Sequence, residues 1–169
     1  MSRLGAPREL EAWREAIKKS IDPDQPRLRI CDGTGCRALG SQELLAALNQ
    51  ALEAASLKKQ VVVIATGCPG FCEQGPLVTV DLTQRPSQAS IAYHKVSPGD
   101  AQAIVTETLK ADRLIQELLY TDPDSNQPII HEADLPFYSR QTRRVMALNG
   151  KINPLTDTAL CFLINRKIR

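Results

Sequence analysis

A chain of 169 residues, 43% of them hydrophobic and 24% charged, has the size and usage of one ordinary globular domain with extensions, so a large multidomain enzyme and wholesale disorder are both excluded. Aromatic residues make up only 4% and the formal net charge is +2, which leaves little for stacking on bases or neutralising phosphates and argues against a nucleic-acid binder. The small net charge hides an asymmetry: residues 1–135 hold 14 Lys and Arg against 18 Asp and Glu, whereas 136–169 hold 7 against 1.

No stretch approaches the roughly 18 apolar residues that a membrane span requires. The N-terminus, with Arg8, Glu9, Glu11 and Arg14, has no apolar signal core. A cytoplasmic protein without membrane insertion is expected. Five cysteines is an odd number, and without a secretory signal their use shifts from disulfides towards metal binding or redox chemistry.

In chain order, Pro7, Leu10, Trp13, Ala16 and Ile17 place apolar residues at helical spacing behind a first-turn proline, which predicts a leading helix within residues 1–24. The proline-bearing stretch Asp22 to Pro26 ends it. Arg27-Leu28-Arg29-Ile30-Cys31 alternates as a half-buried strand does and stops at the glycine-bearing loop Asp32 to Gly40. Ser41, Glu43 and the apolar series Leu44, Leu45, Leu48, Ala51, Leu52 and Ala55 predict a capped amphipathic helix ending near Ser56. Val61-Val62-Val63-Ile64-Ala65 is a continuous β-branched run, the pattern of a strand covered on both faces in the middle of a sheet. After a second loop of glycine and proline, Leu77 to Leu82 and Ala89 to Val96 read as a hairpin joined across Thr83 to Gln88. Ser97-Pro98-Gly99-Asp100 starts a helix carrying Ile104, Val105 and Leu109, and Asp112 to Tyr120 reads as another short helix.

Strand, helix, three strands and a helix predict an α/β fold over residues 27–120. It is a thioredoxin-like sandwich of a central mixed sheet with flanking helices, with the leading helix before it and a C-terminal extension after it. Residues 121–135 read as a polar, turn-rich linker. The basic stretch 136–169 offers little apolar area to offset about 1 to 2 kcal/mol of backbone ordering per residue, so it is expected to be weakly anchored by itself.

Four cysteines form two pairs, Cys31 with Cys36 and Cys68 with Cys72, each in a loop that follows a predicted strand. Parallel strands bring the loops at their carboxyl ends to one edge of a sheet, so four thiolates are expected to converge. Gly33, Gly35, Gly67 and Gly70 let backbone approach closely and turn N–H groups towards a bound anion. Two rivals remain open at this point. Structural zinc takes four thiolates but favours C-x2-C knuckles over the C-x4-C and C-x3-C spacings here. A dithiol enzyme wants a C-x2-C pair at a helix start, which is absent.

Cys31-Asp32-Gly33-Thr34-Gly35-Cys36-Arg37-Ala38-Leu39-Gly40-Ser41 and Thr66-Gly67-Cys68-Pro69-Gly70-Phe71-Cys72-Glu73-Gln74-Gly75-Pro76-Leu77-Val78 resemble the two ligand loops of the thioredoxin-like 2Fe-2S ferredoxins. The second loop most resembles the ferredoxin domain fused to the front of the flavoprotein subunit of NAD(P)-linked hydrogenases and NADH dehydrogenases. Leu114 to Tyr120 is similar to that group's short linker helix. Leu135 to Tyr138 with Arg143, Arg144, Asn149 and Gly150 to Pro154 resembles the opening of the flavoprotein domain. The resemblance covers residues 27–154. It implies a 2Fe-2S cluster ligated by Cys31, Cys36, Cys68 and Cys72, and one-electron transfer within an NAD(P)H-linked oxidoreductase. Its partners would be flavoprotein and iron–sulfur subunits. Because Leu155 to Arg169 departs from the family pattern, a truncated or split flavoprotein is expected, with FMN and NAD(P)H bound on a partner chain or missing domain and no catalytic residue assigned here. A zinc-binding adaptor without redox activity is the alternative.

Other residues carry less. His94 and His131 read as surface or edge histidines, Cys161 as a small apolar thiol in Ala159 to Ile164, and Trp13 as a packing residue. Arg37 beside Cys36 is expected to stabilise a reduced, more negative cluster and Glu73 beside Cys72 to oppose it. Arg140, Arg143, Arg144, Lys151, Arg166, Lys167 and Arg169 read either as a solvated basic face or as a patch for an acidic partner.

Overall fold

Strand β1 (Arg27–Cys31) is the axis of a four-stranded sheet ordered β2-β1-β3-β4, in which β2 is Val62–Thr66, β3 Val78–Asp81 and β4 Ile91–Tyr93. This is a computed structural model, and it describes residues 6–20, 22, 24–82 and 90–156. β1 and β2 run parallel, while β3 is antiparallel to both β1 and β4. Helix α1 (Pro7–Ser20) precedes the sheet. Between β1 and β2 lie α2 (Thr34–Ala38) and α3 (Ser41–Ala54). After β4, a capping box of Ser97 and Asp100 starts a turn, Pro98–Asp100, that runs into α4 (Ala101–Ala103) and a π-helical stretch, Ile104–Lys110.

Leu28 and Ile30 of β1, Val78 and Val80 of β3 and Tyr93 of β4 pack with Leu44, Leu48 and Leu52 of α3 and with Ile104 and Val105. Each of these is fully buried, and the Tyr93 hydroxyl is satisfied 2.7 Å from Thr108 Oγ1. α3 and α4 contact each other, so the helices sit together on one face of the sheet. That corrects the expectation for the β-branched run. β2 is an edge strand, half-buried along Val62 to Ala65, and the middle of the sheet belongs to β1, buried from Leu28 to Cys31.

The segment Asp112 to Tyr120 is not one helix. Asp112 takes a left-handed conformation (φ 55°) that ends the helical rod, and only Gln116–Leu118 makes a 3-10 turn. Leu119 then bridges to Tyr93, and β5 (Tyr120–Thr121) pairs with β6 (Pro128–Ile129). Residues 128–132, within the stretch read as a linker, run along the free edge of β4: Ala92 N–H donates to Ile130 O and Glu132 N–H to Ser90 O. An exposed strand edge is thereby paired. Thr83 to Ala89, which includes the expected hairpin turn, lies outside the described residues.

The face of the sheet opposite the helices is polar, and residues 128–154 cover it. Arg29, which strand alternation points towards solvent, is only 7% exposed there. Its guanidinium forms a fork with Asp81 at 2.7 and 3.0 Å, reaches Glu132 at 2.9 Å and donates to Gly150 O at 2.5 Å. One side chain thus ties β1 to β3, to the edge strap and to the C-terminal extension. The extension is bound through such polar contacts together with the packing of Phe137 and Tyr138 on Phe71, which is why composition alone understates its anchoring. Residues 157–169, with Cys161, Arg166, Lys167 and Arg169, lie outside the described residues.

Removing Arg29 leaves two mostly buried carboxylates facing each other. Arg29→Met is expected to lower unfolding stability by about 3 to 5 kcal/mol in urea denaturation, with Arg29→Lys less damaging because it keeps the charge and loses the planar fork. A methionine variant as stable as the parent would show that the network carries no net stability.

Candidate metal centre

Parallel pairing sets Cys31 opposite Thr66, so the loops leaving β1 and β2 emerge side by side. Asp32 N–H donates to Thr66 O at 2.9 Å and Cys31 N–H to Leu77 O at 3.0 Å, which fixes the start of the first loop against the other two strands' ends. Cys31 is the last residue of β1 rather than a loop residue, and Cys36 lies in α2. Cys68 follows β2, and Cys72 opens a 3-10 turn, Cys72–Gln74. The loops touch through glycine. A Cβ at Gly33 would stand 2.7 Å from Cys68 Cβ, and one at Gly75 would stand 2.7 Å from Cys36 Sγ.

All four predicted cysteines are brought together as free thiols: Cys31 and Cys36 buried, Cys68 half-buried and Cys72 exposed. Cys68 Sγ lies 3.3 Å from Cys72 Sγ. The Cys31 thiol, hydrogen-bonded to Cys36 and buried, is pushed well above the usual range. Cys72 is raised by its contact with Cys68, and Cys36 is lowered by its bond from Cys31. Sulfurs this close oppose one another's ionisation, so four thiolates here require a cationic centre between them.

Backbone supplies the rest of the charge match. Gly70 N–H donates to Cys68 Sγ at 3.3 Å, and the backbone at Gly33 and Leu77 acts to lower the Cys31 and Cys36 pKa values. This is the anion cradle expected from the glycine content. Among the described residues, no three His, Cys, Asp or Glu donors converge on one ion position. A 2Fe-2S cluster asks for two cysteines per iron, which four thiols carried in pairs on two neighbouring loops can supply.

Arg37 does not play the part expected of it. Its guanidinium is forked onto Asp32 at 3.0 and 2.7 Å, and Asp32 also accepts from Ser41 and Gln42. Arg37 first, with Gln42 and Ser41, holds the Asp32 carboxyl below its usual range. The pair staples the first loop to the start of α3 and largely cancels its own charge. Glu73 is exposed beside Cys72.

Four of the chain's seven Phe, Tyr and Trp residues gather at the second loop, a concentration invisible in the composition. Phe71 stacks on Phe137 of α5 (Pro136–Ser139) at 4.6 Å and meets Tyr120, Tyr138 and His94 edge-on. His94, read as a surface or edge histidine, is in fact 5% exposed, because Phe71 and Tyr120 close over the end of β4. Neither ring nitrogen has a hydrogen-bond partner in the protein. His131 is half-buried.

Burial alone lowers the His94 pKa from 6.5 to about 4, so the ring is neutral in the native protein at pH 6. Below the unfolded value of 6.5 the unfolded chain takes up a proton that the folded chain refuses, and stability is lost as pH falls towards 4. The loss is expected to be on the order of 2 kcal/mol and to be absent in His94→Phe. Equal pH slopes for the two proteins in urea denaturation between pH 6.5 and 4 would mean that the native ring carries a proton or a partner.

Comparison with known proteins bears on what the thiols hold. The chain is 28% identical over 103 residues to the protein named "Ferredoxin, 2Fe-2S" of Clostridium pasteurianum, covering 55% of this chain and 95% of that one. Among solved structures, the wild-type thioredoxin-like 2Fe-2S ferredoxin of Aquifex aeolicus matches at 24% identity with a TM-score of 0.48, over 59% of this chain and 99% of that one. A cysteine-to-serine variant of the same ferredoxin gives 24% and 0.49, over 57% and 99%. The family model described as "Thioredoxin-like [2Fe-2S] ferredoxin" matches residues 20–108, more than half of the chain and the span holding all four clustered thiols. This chain belongs to the thioredoxin-like 2Fe-2S ferredoxins and carries a 2Fe-2S cluster for electron transfer.

Proposed function

We propose that Cys31, Cys36, Cys68 and Cys72 are the cluster ligands, and that the chain works as a module or subunit of an NAD(P)H-linked oxidoreductase of the NADH dehydrogenase or NAD(P)-reducing hydrogenase type. The convergence of these four thiols beyond the ends of β1 and β2, with Gly70 N–H donating to Cys68, carries the ligand assignment. When bound, the cluster supplies a one-electron carrier. The chain's own residues hold and tune it. Burial of Cys31 and Cys36 against Leu77 keeps water from one side, while exposure of Cys72 leaves the other side open to an electron partner.

Two features support the oxidoreductase context. Leu135 to Pro154 resembles the opening of a flavoprotein domain, and the same stretch packs directly onto the second ligand loop. On this reading residues 136–169 begin a flavoprotein-like domain, and the partners are flavoprotein and iron–sulfur subunits in the cytoplasm. No described helix is long and apolar enough to cross a membrane.

Serine replacement tests the ligands. Any one of Cys31, Cys36, Cys68 or Cys72→Ser is expected to abolish or strongly change the visible chromophore, whereas Cys161→Ser keeps it with two irons and two labile sulfides per chain. A native spectrum and full iron content in one of the four would remove that residue from the ligand set. For the context, the brown chain is expected to co-purify from its source with a flavin-bearing NAD(P)H dehydrogenase. A chain that runs alone and is not reduced through any such flavoprotein would remove the oxidoreductase reading and leave the ferredoxin.

A further inference from the structure

Three successive carbonyls of the second ligand loop each accept a hydrogen bond from the C-terminal extension. Gly67 O accepts from Gly150 N–H at 3.0 Å, Cys68 O from Asn149 Nδ2 at 3.1 Å and Pro69 O from Arg143 Nη2 at 2.5 Å. Gly67 N–H returns a bond to Ile152 O at 3.3 Å. Gly150 must be glycine for this approach: its φ is +76°, and an added Cβ would stand 2.8 Å from Pro69 Cβ. Phe137 stacks on Phe71 on the same side, and the Arg143 guanidinium lies over the Tyr138 ring at 4.6 Å, which fixes its direction.

The peptide between Pro69 and Gly70 connects this clamp to a thiol. It is trans, so its C=O and N–H point in opposite directions. Arg143 holds the oxygen end while Gly70 N–H bonds to Cys68 Sγ at 3.3 Å. A charge-assisted bond to the carbonyl polarises the amide and strengthens the hydrogen bond made by its other end. Donors to a ligating sulfur favour the more negative, reduced state of a cluster.

We infer that Arg143 is a positioning residue for electron transfer: through the Pro69–Gly70 peptide it strengthens the donor to Cys68 and raises the reduction potential, with Asn149 keeping the adjacent carbonyl in register. Arg143 and Asn149 lie outside residues 20–108, the span of the ferredoxin family match, while the peptide they act on lies inside it. It deepens the function proposed above and rests on Cys68 being a ligand.

The test uses the full chain with its cluster. Arg143→Met is expected to make reduction roughly tenfold less favourable, a negative shift of about 59 mV for one electron, in a potentiometric titration followed by electron paramagnetic resonance. Asn149→Ala should shift in the same direction by less, and Arg143→Lys should recover part of the loss. Arg144→Met removes the same charge one residue away and should leave the potential near that of the parent. In the apo-chain, a readout independent of the cluster, the Gly70 amide should exchange faster in Arg143→Met than in the parent. An unchanged potential in both Arg143→Met and Asn149→Ala would overturn the inference, and so would an Arg144→Met shift as large as that of Arg143→Met, since the effect would then be bulk charge. A native spectrum in Cys68→Ser would instead overturn the ligand assignment on which the inference stands.

Discussion

Four thiols gathered on two neighbouring loops oppose one another's ionisation, and the surrounding structure is arranged so that this repulsion is tolerable. A cationic centre between them answers most of it. The protein contributes the remainder with neutral dipoles: Gly70 turns its N–H onto Cys68, and the backbone at Gly33 and Leu77 favours ionisation of Cys31 and Cys36. Of the nearby positive charges, Arg37 is committed to Asp32 and Arg143 to the Pro69 carbonyl. Dipoles suit a centre that gains and loses a single negative charge, because they stabilise the reduced form without binding it so strongly that the electron cannot leave.

The site was legible in the sequence because its constraints are local. Cysteine pairs at the ends of two strand patterns, glycines between them and a helix long enough to make the strands parallel were all present within residues 27–78. The register Cys31 opposite Thr66 follows from them. The fold class was legible for the same reason: period-2 and period-3.6 patterns name the elements, and the helical crossover orders the first two strands.

Long-range polar contacts were not legible. Arg29 reads as an exposed strand residue until Asp81, 52 positions on, and Glu132, 103 positions on, are known to stand beside it. His94 reads as an edge residue until Phe71 and Tyr120 close over it. The continuous β-branched run of β2 reads as a strand in the middle of the sheet because it fits cover on both faces. Here α3 and α4 share one face, and the other is left to a segment with no hydrophobic signature of its own. Only the fold's three-dimensional closure shows that such a segment belongs to the structure.

That closure gives the two cysteine pairs different surroundings. Cys31 and Cys36 are sealed by Leu77 and held by elements of the ferredoxin core alone, whereas Cys68 lies in a loop whose carbonyls are gripped by residues 143–150, and Cys72 faces solvent. Of the buried pair, Cys31 is fixed by the sheet, because its backbone cannot shift without breaking β1, and Cys36 is carried by the short helix α2. Of the outer pair, Cys72 is the exposed thiol and Cys68 is the one whose neighbouring carbonyls are bonded to the C-terminal extension. Tuning acts at the exposed side for a physical reason: a peptide in a loop can rotate by a few degrees at small energetic cost, and a peptide in the central strand cannot.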